Sequence, residues 1–177
     1  AVFDFDAWGN KYQDYGRDAK VGEWMLRELN LPCYQVPMVL EGGAIHVDGS
    51  GTLITTESVA FNPDRNPTLD QRQIEERLAM YFGIRKVIWL PDGLVGDPAD
   101  GHINKVARFI APGRVMCAVA AYRGDPNHGV LSDNLARLSQ ERDALGRPLE
   151  LVELPLPAPL QKQDGSYLIR SYLDFYL

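Results

Sequence analysis

Apolar positions along the chain follow two rhythms. Three stretches repeat every three to four residues, the period of a helix lying against a core. Val21, Met25 and Leu29 mark the first, over roughly Asp18 to Asn30, with Pro32 closing it. Ile74, Leu78 and Tyr81 mark the second. It starts at Thr68, where "TLDQ" reads as a capping box of Thr68 with Gln71, and it stops at Gly83. Leu131, Leu135 and Leu138 mark the third, over roughly Asn127 to Ala144, with "GRP" ending it. Between them lie segments rich in β-branched and aromatic residues: "AVFDFDAW", "YQVPMVL", "AIHVDG", "GTLITTES", "KVIWLP", "NKVARFIA", "RVMCAVAAY", "LELVEL" and "SYLIRSYLDFYL". These predict strands. "DGSG" (Asp48 to Gly51) and "APG" (Ala111 to Gly113) predict hairpin turns.

The order of elements repeats. A strand, a hairpin around Gly51, a loop, a helix and a further strand form one ββαβ unit. The same succession recurs around Gly113. This predicts an α/β fold in one domain over 1–177, divided at about 1–31, 32–85 and 86–148, with a further unit starting at 149. Glu41 and His102 stand at matching places, each shortly before the hairpin glycine of its unit. If such units pack around a common axis, matching places converge there. A repeat without function has the same register, so periodicity alone leaves both readings open.

Glu41 raises a specific question, because it ends the apolar run Met38 to Leu40 and precedes two glycines. It is either an exposed strand-end carboxylate or an acid placed to hold something positive, since burial without a partner is costly. Gly42 and Gly43 permit close backbone approach and suit a pocket wall. His102, after Gly101, is either structural or, beside a carboxylate, a general acid/base. His46 and His128 read as structural or exposed. "FNPDRNP" is either a rigid connector or a loop in which Arg65 and Asn66 brace the pocket. Trp8 is either core or an aromatic wall.

Composition narrows the classes. The chain has 177 residues, 45% hydrophobic and 24% charged, which fits a soluble globular domain. No apolar run approaches the ~20 residues of a membrane span, and no signal peptide opens the chain. A cytoplasmic setting is therefore expected. A net charge of −6 without a Lys/Arg cluster argues against a nucleic-acid partner. Cys33 and Cys117 sit among apolar neighbours and predict two buried free thiols. No CxxC or HxxxH spacing exists, so no metal site is expected. Both ends read as cut from something longer: Ala1 falls inside an apolar alternation and "SYLDFYL" inside a strand.

"FDFDAWGNKY", "LEGGAIHVDGSGTLITTE", "NPDRNP", "IWLPDGLVGD", "DGHINKVARF" and "YLDFY" together resemble the agmatine deiminase (agmatine iminohydrolase) family, in order and over nearly the whole chain. The resemblance implies the guanidine-modifying, or pentein, superfamily, whose fold is a five-unit α/β propeller. It implies hydrolysis of agmatine to N-carbamoylputrescine and ammonia, a step toward putrescine. A cysteine thiolate attacks the guanidinium carbon, a histidine moves protons, carboxylates grip the cation, and no cofactor is required. By this resemblance Glu41 and His102 are the catalytic positions. Trp8 and Asn104 are substrate-binding positions.

Two departures bear on activity. The resemblance leads one to expect G-H-x-D-N where this chain has Gly101-His102-Ile103-Asn104-Lys105. Asn104 lacks the charge of a substrate-gripping aspartate, which weakens cation binding by about 1.5–3 kcal/mol, and Lys105 adds the wrong sign. The family's W-x-R-D-x-G-P segment is missing, as is its glycine-rich segment ending in the nucleophilic cysteine. The chain alone is therefore expected to be inactive. Alternatives are a non-catalytic guanidinium-binding or protein-interaction module, and an arginine or peptidylarginine deiminase relative. Open sheet edges would favour a homo-oligomer.

Overall fold

The computed structural model describes residues 1–175. Among these residues ten short strands form four sheets. β1 (Val2–Asp4) and β2 (Gln35–Val39) pair parallel around the first helix, Val21–Glu28. β3 (Ile45–Val47) and β4 (Thr52–Thr56) form an antiparallel hairpin. The second helix, Gln71–Phe82, then leads to β5 (Lys86–Leu90), which lies parallel to β4. β6 (Ala107–Ala111), β7 (Arg114–Val119), the third helix His128–Gln140 and β8 (Glu150–Pro155) repeat this plan. β9 (Leu160–Gln161) and β10 (Tyr167–Leu168) make a last small hairpin.

The repeated ββαβ plan is thus present, with a different grouping of strands. The strand expected to open each unit pairs instead with the sheet before it: β2 joins β1, β5 joins β4 and β8 joins β7. The reason is the crossover. A helix between two strands returns the chain parallel to the strand it left.

β4 is buried at every position. Leu53 faces a core with Val36, Met38, Ile74, Leu78 and Trp89. Ile54 faces the other way, with Ile88, Leu90, Phe109, Val115, Leu131 and Leu138. The middle sheet is therefore sandwiched between its own helix and the next unit. This alternation of faces accounts for two threonines inside the core: Thr55 Oγ1 donates to Ala44 O at 2.8 Å and Thr56 Oγ1 to Gly101 O at 2.7 Å.

Several boundaries differ from the sequence reading. The second helix is capped by Asp70 with Gln73, which form the capping box two residues beyond Thr68. Leu69 is still in a turn, its N–H donating to Asn66 O. The first helix presents Val21, Met25 and Leu29 to solvent along with Trp24. Cys33 is exposed, contrary to expectation, while Cys117 is buried. The strand expected over "SYLIRSYLDFYL" reduces to Tyr167–Leu168, the rest up to Phe175 being irregular. Its last residues, Tyr176 and Leu177, lie outside the described residues. Among the described residues no helix is long and apolar enough to cross a membrane.

Candidate functional site

Glu41 follows β2, and His102 precedes a 3-10 turn, Ile103–Lys105, that feeds β6. The structure brings them into near contact: His102 Nε2 stands 3.6 Å from Glu41 Oε2. Both side chains are 7% exposed. Neither of these two atoms has a hydrogen-bond partner among the described residues. The pair meets directly, not across a cavity. The space beside Glu41 is a small gap of about 10 Å³ bordered by Met38, Val59, Ile74 and Trp89, with room for about one water molecule and none for an organic ligand.

The other carboxylate oxygen is taken. Arg65 Nε donates to Glu41 Oε1 at 2.8 Å, its Nη1 to Asp100 Oδ2 at 2.7 Å and its Nη2 to Ala99 O at 3.2 Å. Burial pushes the Glu41 carboxyl upward. The His102 ring and the Arg65 guanidinium outweigh it, and the group lies below the ordinary value. Burial acts against the Arg65 charge in the same way, and its bonds to Asp100 and Glu41 overcome it. Lys11 Nζ closes the row at 2.5 Å from Asp100. Two carboxylates and two cations thus alternate, so the buried charges compensate one another.

The loop that carries His102 is built on a residue the sequence reading did not single out. The Asp97 carboxylate accepts from His102 N at 3.0 Å, Ala99 N at 3.1 Å and Lys105 Nζ at 2.6 Å. Lys105 is thereby turned to its own buried carboxylate partner. On the other side, Asn66 clamps β2 through Val39 N and Val39 O, so "FNPDRNP" does brace the Glu41 strand.

Asn104 lies next to His102. A Cβ at Gly43 would come within 2.6 Å of His102 Nδ1 and 3.2 Å of Asn104 Nδ2, so only glycine fits beneath the two side chains. Asn104 Nδ2 donates to Asp174 Oδ1 at 3.0 Å. Trp8 lies apart from this group. It sits in a left-handed turn, Ala7 to Asn10, with φ near +60° at Ala7, Trp8 and Asn10. The Asp6 carboxylate accepts from Gly9 N and holds the turn. Gly9 packs against the Arg65–Asp100 pair, and the Trp8 ring, 38% exposed, packs edge-on against Phe5 and Tyr12. Neither cysteine borders the site. Burial, with Glu153 nearby, pushes the Cys117 thiol up to about 11.

Asp100 and Lys11 were missed because their partners are distant in sequence; the partners of Asp97 are close, but the irregular loop they shape has no periodic pattern to read. The one available signal was the polar "DPAD" run before Gly101.

Repeated α/β units that place a carboxylate and an imidazole together at their junction define a class, and comparison with known proteins identifies the family. Residues 1–177 match the family model described as Porphyromonas-type peptidyl-arginine deiminase. An agmatine deiminase of Stutzerimonas stutzeri is 42% identical over 166 residues, covering 91% of this chain and 45% of that protein. One from Medicago truncatula is 37% identical over 195 residues, covering 98% and 52%. The solved agmatine deiminase of Enterococcus faecalis superposes with a TM-score of 0.91 at 32% identity, covering 97% of this chain and 53% of that one. A C. jejuni agmatine deiminase with substrate bound superposes at 0.85 and 32%, covering 97% and 50%. The chain belongs to the agmatine deiminase, or Porphyromonas-type peptidyl-arginine deiminase, family. It spans about half the length of the curated relatives it matches.

Proposed function

We propose that this chain carries the glutamate–histidine half of an agmatine-type deiminase site, built on part of a five-unit α/β propeller. The observation that carries the reading is the buried pair of free atoms, Glu41 Oε2 and His102 Nε2. A buried carboxylate oxygen without a donor is an incomplete arrangement. A guanidinium N–H completes it with a charge-assisted bond. His102, at the same spot, is placed to receive or return a proton once its ring swings aside for the ligand. Arg65 fixes the carboxylate from behind, so the free oxygen keeps its direction. Trp8, one residue before the Gly9 that neighbours the Arg65–Asp100 pair, is the outer aromatic residue of this reading.

The covalent step needs a thiolate. Cys117 is buried in the second core with its thiol held protonated, and Cys33 lies on the surface away from Glu41. Incubated alone with agmatine, the chain should release no ammonia above background. Calorimetry tests the site itself: the unaltered chain should bind agmatine, and Glu41→Ala should abolish the heat. Equal heats from both would remove Glu41 from the site.

A second reading concerns association. The first sheet has two strands where the second and third have three, and the first helix turns Val21, Trp24, Met25 and Leu29 outward. An open edge beside an apolar face favours a second copy of the chain packing there. Light scattering at rising concentration should show self-association, and a strictly monomeric species counts against it.

A further inference from the structure

We propose that Asp174 supplies the second cation-binding carboxylate of this site, in place of the charge that Asn104 lacks. The proposal rests on the guanidinium-binding reading above. An aspartate at 104 hydrogen-bonded to an amide at 174 would carry one negative charge. Here the same two positions carry the same charge with the partners exchanged: Asn104 Nδ2 donates to Asp174 Oδ1 at 3.0 Å. The carboxylate stands across the hydrogen bond from Asn104.

The position of Asp174 is built. Ser171 Oγ donates to Lys105 O at 2.8 Å, and Leu173 N donates back to Ser171 Oγ at 3.1 Å. Leu173 is fully buried in the larger core. Arg108 donates to Phe175 O, and its guanidinium lies 5.4 Å from the centroid of the Phe175 ring. These contacts hold residues 171–175 against the 3-10 turn that follows His102, against the core and against Arg108 on β6. Asp174 itself is exposed, so a cation can meet it from solvent. Of the two neighbouring cations, Lys105 is paired with Asp97 and Arg108 is engaged by Phe175 O and the Phe175 ring; neither makes an ion pair with Asp174 among the described residues.

Glu41, His102, Asn104 and Asp174 then form a row. His102 Nδ1 and Asn104 Nδ2 share the floor made by Gly43, with Glu41 beyond the ring and Asp174 beyond the amide. Among the described residues the Asn104 Oδ1 atom is a buried acceptor without a partner, alongside the free Glu41 and His102 atoms. A planar guanidinium, with donors pointing several ways, matches acceptors spread along such a row. In this arrangement the outer carboxylate captures the cation and the inner one orients it.

The test is calorimetry with agmatine on the full chain. Asp174→Asn keeps an oxygen to accept the Asn104 N–H, so the contact survives and only the charge is lost. It should weaken binding about ten- to a hundredfold. The exchanged variant Asn104→Asp with Asp174→Asn should restore affinity to within about threefold of the unaltered chain. If Asp174→Asn binds as the unaltered chain does while Glu41→Gln binds weakly, the proposal falls and the proposed function stands. If the exchanged variant fails to recover affinity despite an unchanged melting temperature, the charge swap is likewise refuted. No agmatine binding by the unaltered chain overturns the proposed function and this inference with it.

Discussion

Glu41 is gripped on one oxygen and free on the other, and Arg65 is the cause of that asymmetry. Its side chain is 1% exposed and serves two carboxylates at once. Arg65→Met should destabilise the chain by about 3–5 kcal/mol, because Glu41 is then buried without its counter-charge. Arg65→Lys should recover only part of this, since an ammonium cannot reproduce the planar fork. Urea denaturation measures both. His46 offers a pH-dependent counterpart. Burial, helped by the charge of Arg108, lowers it from 6.5 to about 4. Its Nδ1 accepts the Phe109 N–H at 3.1 Å, which protonation would forbid. The unfolded chain therefore takes up this proton first on acidification. The His46 contribution is complete above pH 6.5 and is lost as pH falls toward 4, on the order of 2–3 kcal/mol. His46→Gln keeps an acceptor without the titration and should flatten the stability profile in that window. Glu41 and Asp100, both held below their ordinary values, add a further loss only as pH falls through the carboxylate range.

At the scale of elements, the second helix shows what local pattern resolves. "TLDQRQ" contains two overlapping capping boxes, and the carboxylate wins over the hydroxyl because the chain is still turning at Leu69. Asp70→Ala should lower stability by about 1 kcal/mol, whereas Thr68→Ala should change it little; thermal melts of the two variants check the assignment. Helix positions and both hairpins were legible because each rests on contacts close in sequence. The strand over "SYLIRSYLDFYL" was misread for the opposite reason. Its β-branched and aromatic residues suit a pleated surface, but only Tyr167–Leu168 has a partner strand, and propensity does not provide one. The exposed stripe of the first helix is a related case: period shows that a face is apolar, and what covers it lies outside that signal.

For the molecule as a whole, the repeat gave Glu41 and His102 matching places, with convergence conditional on the packing of the units, and the fold brings those places to one junction. Arg65 was reachable as a brace from its proline-rich loop. Asp100, Lys11 and Asp174 were not, since each acts through a contact that only the folded topology creates, and Asp97 was not because it organises an irregular loop that no periodicity marks. The two thiols test the same global packing. A thiol reagent should modify Cys33 quickly in the native chain and Cys117 only on unfolding, because the latter lies in the core and its thiolate is disfavoured. Rapid labelling of both would show that the second core is not closed.

The alternating row of charges also has a kinetic meaning. Lys11 and Asp100 are 89 positions apart, Arg65 and Asp100 are 35 apart, and Asn104 and Asp174 are 70 apart. Loops of that size close late, after hairpins and helices have formed. The corner formed by Glu41, Arg65, Asp100 and Lys11 should therefore be absent from the rate-limiting barrier of assembly. In stopped-flow experiments Arg65→Met should leave the refolding rate nearly unchanged and accelerate unfolding, so that this corner acts as the clasp that keeps the native chain from reopening.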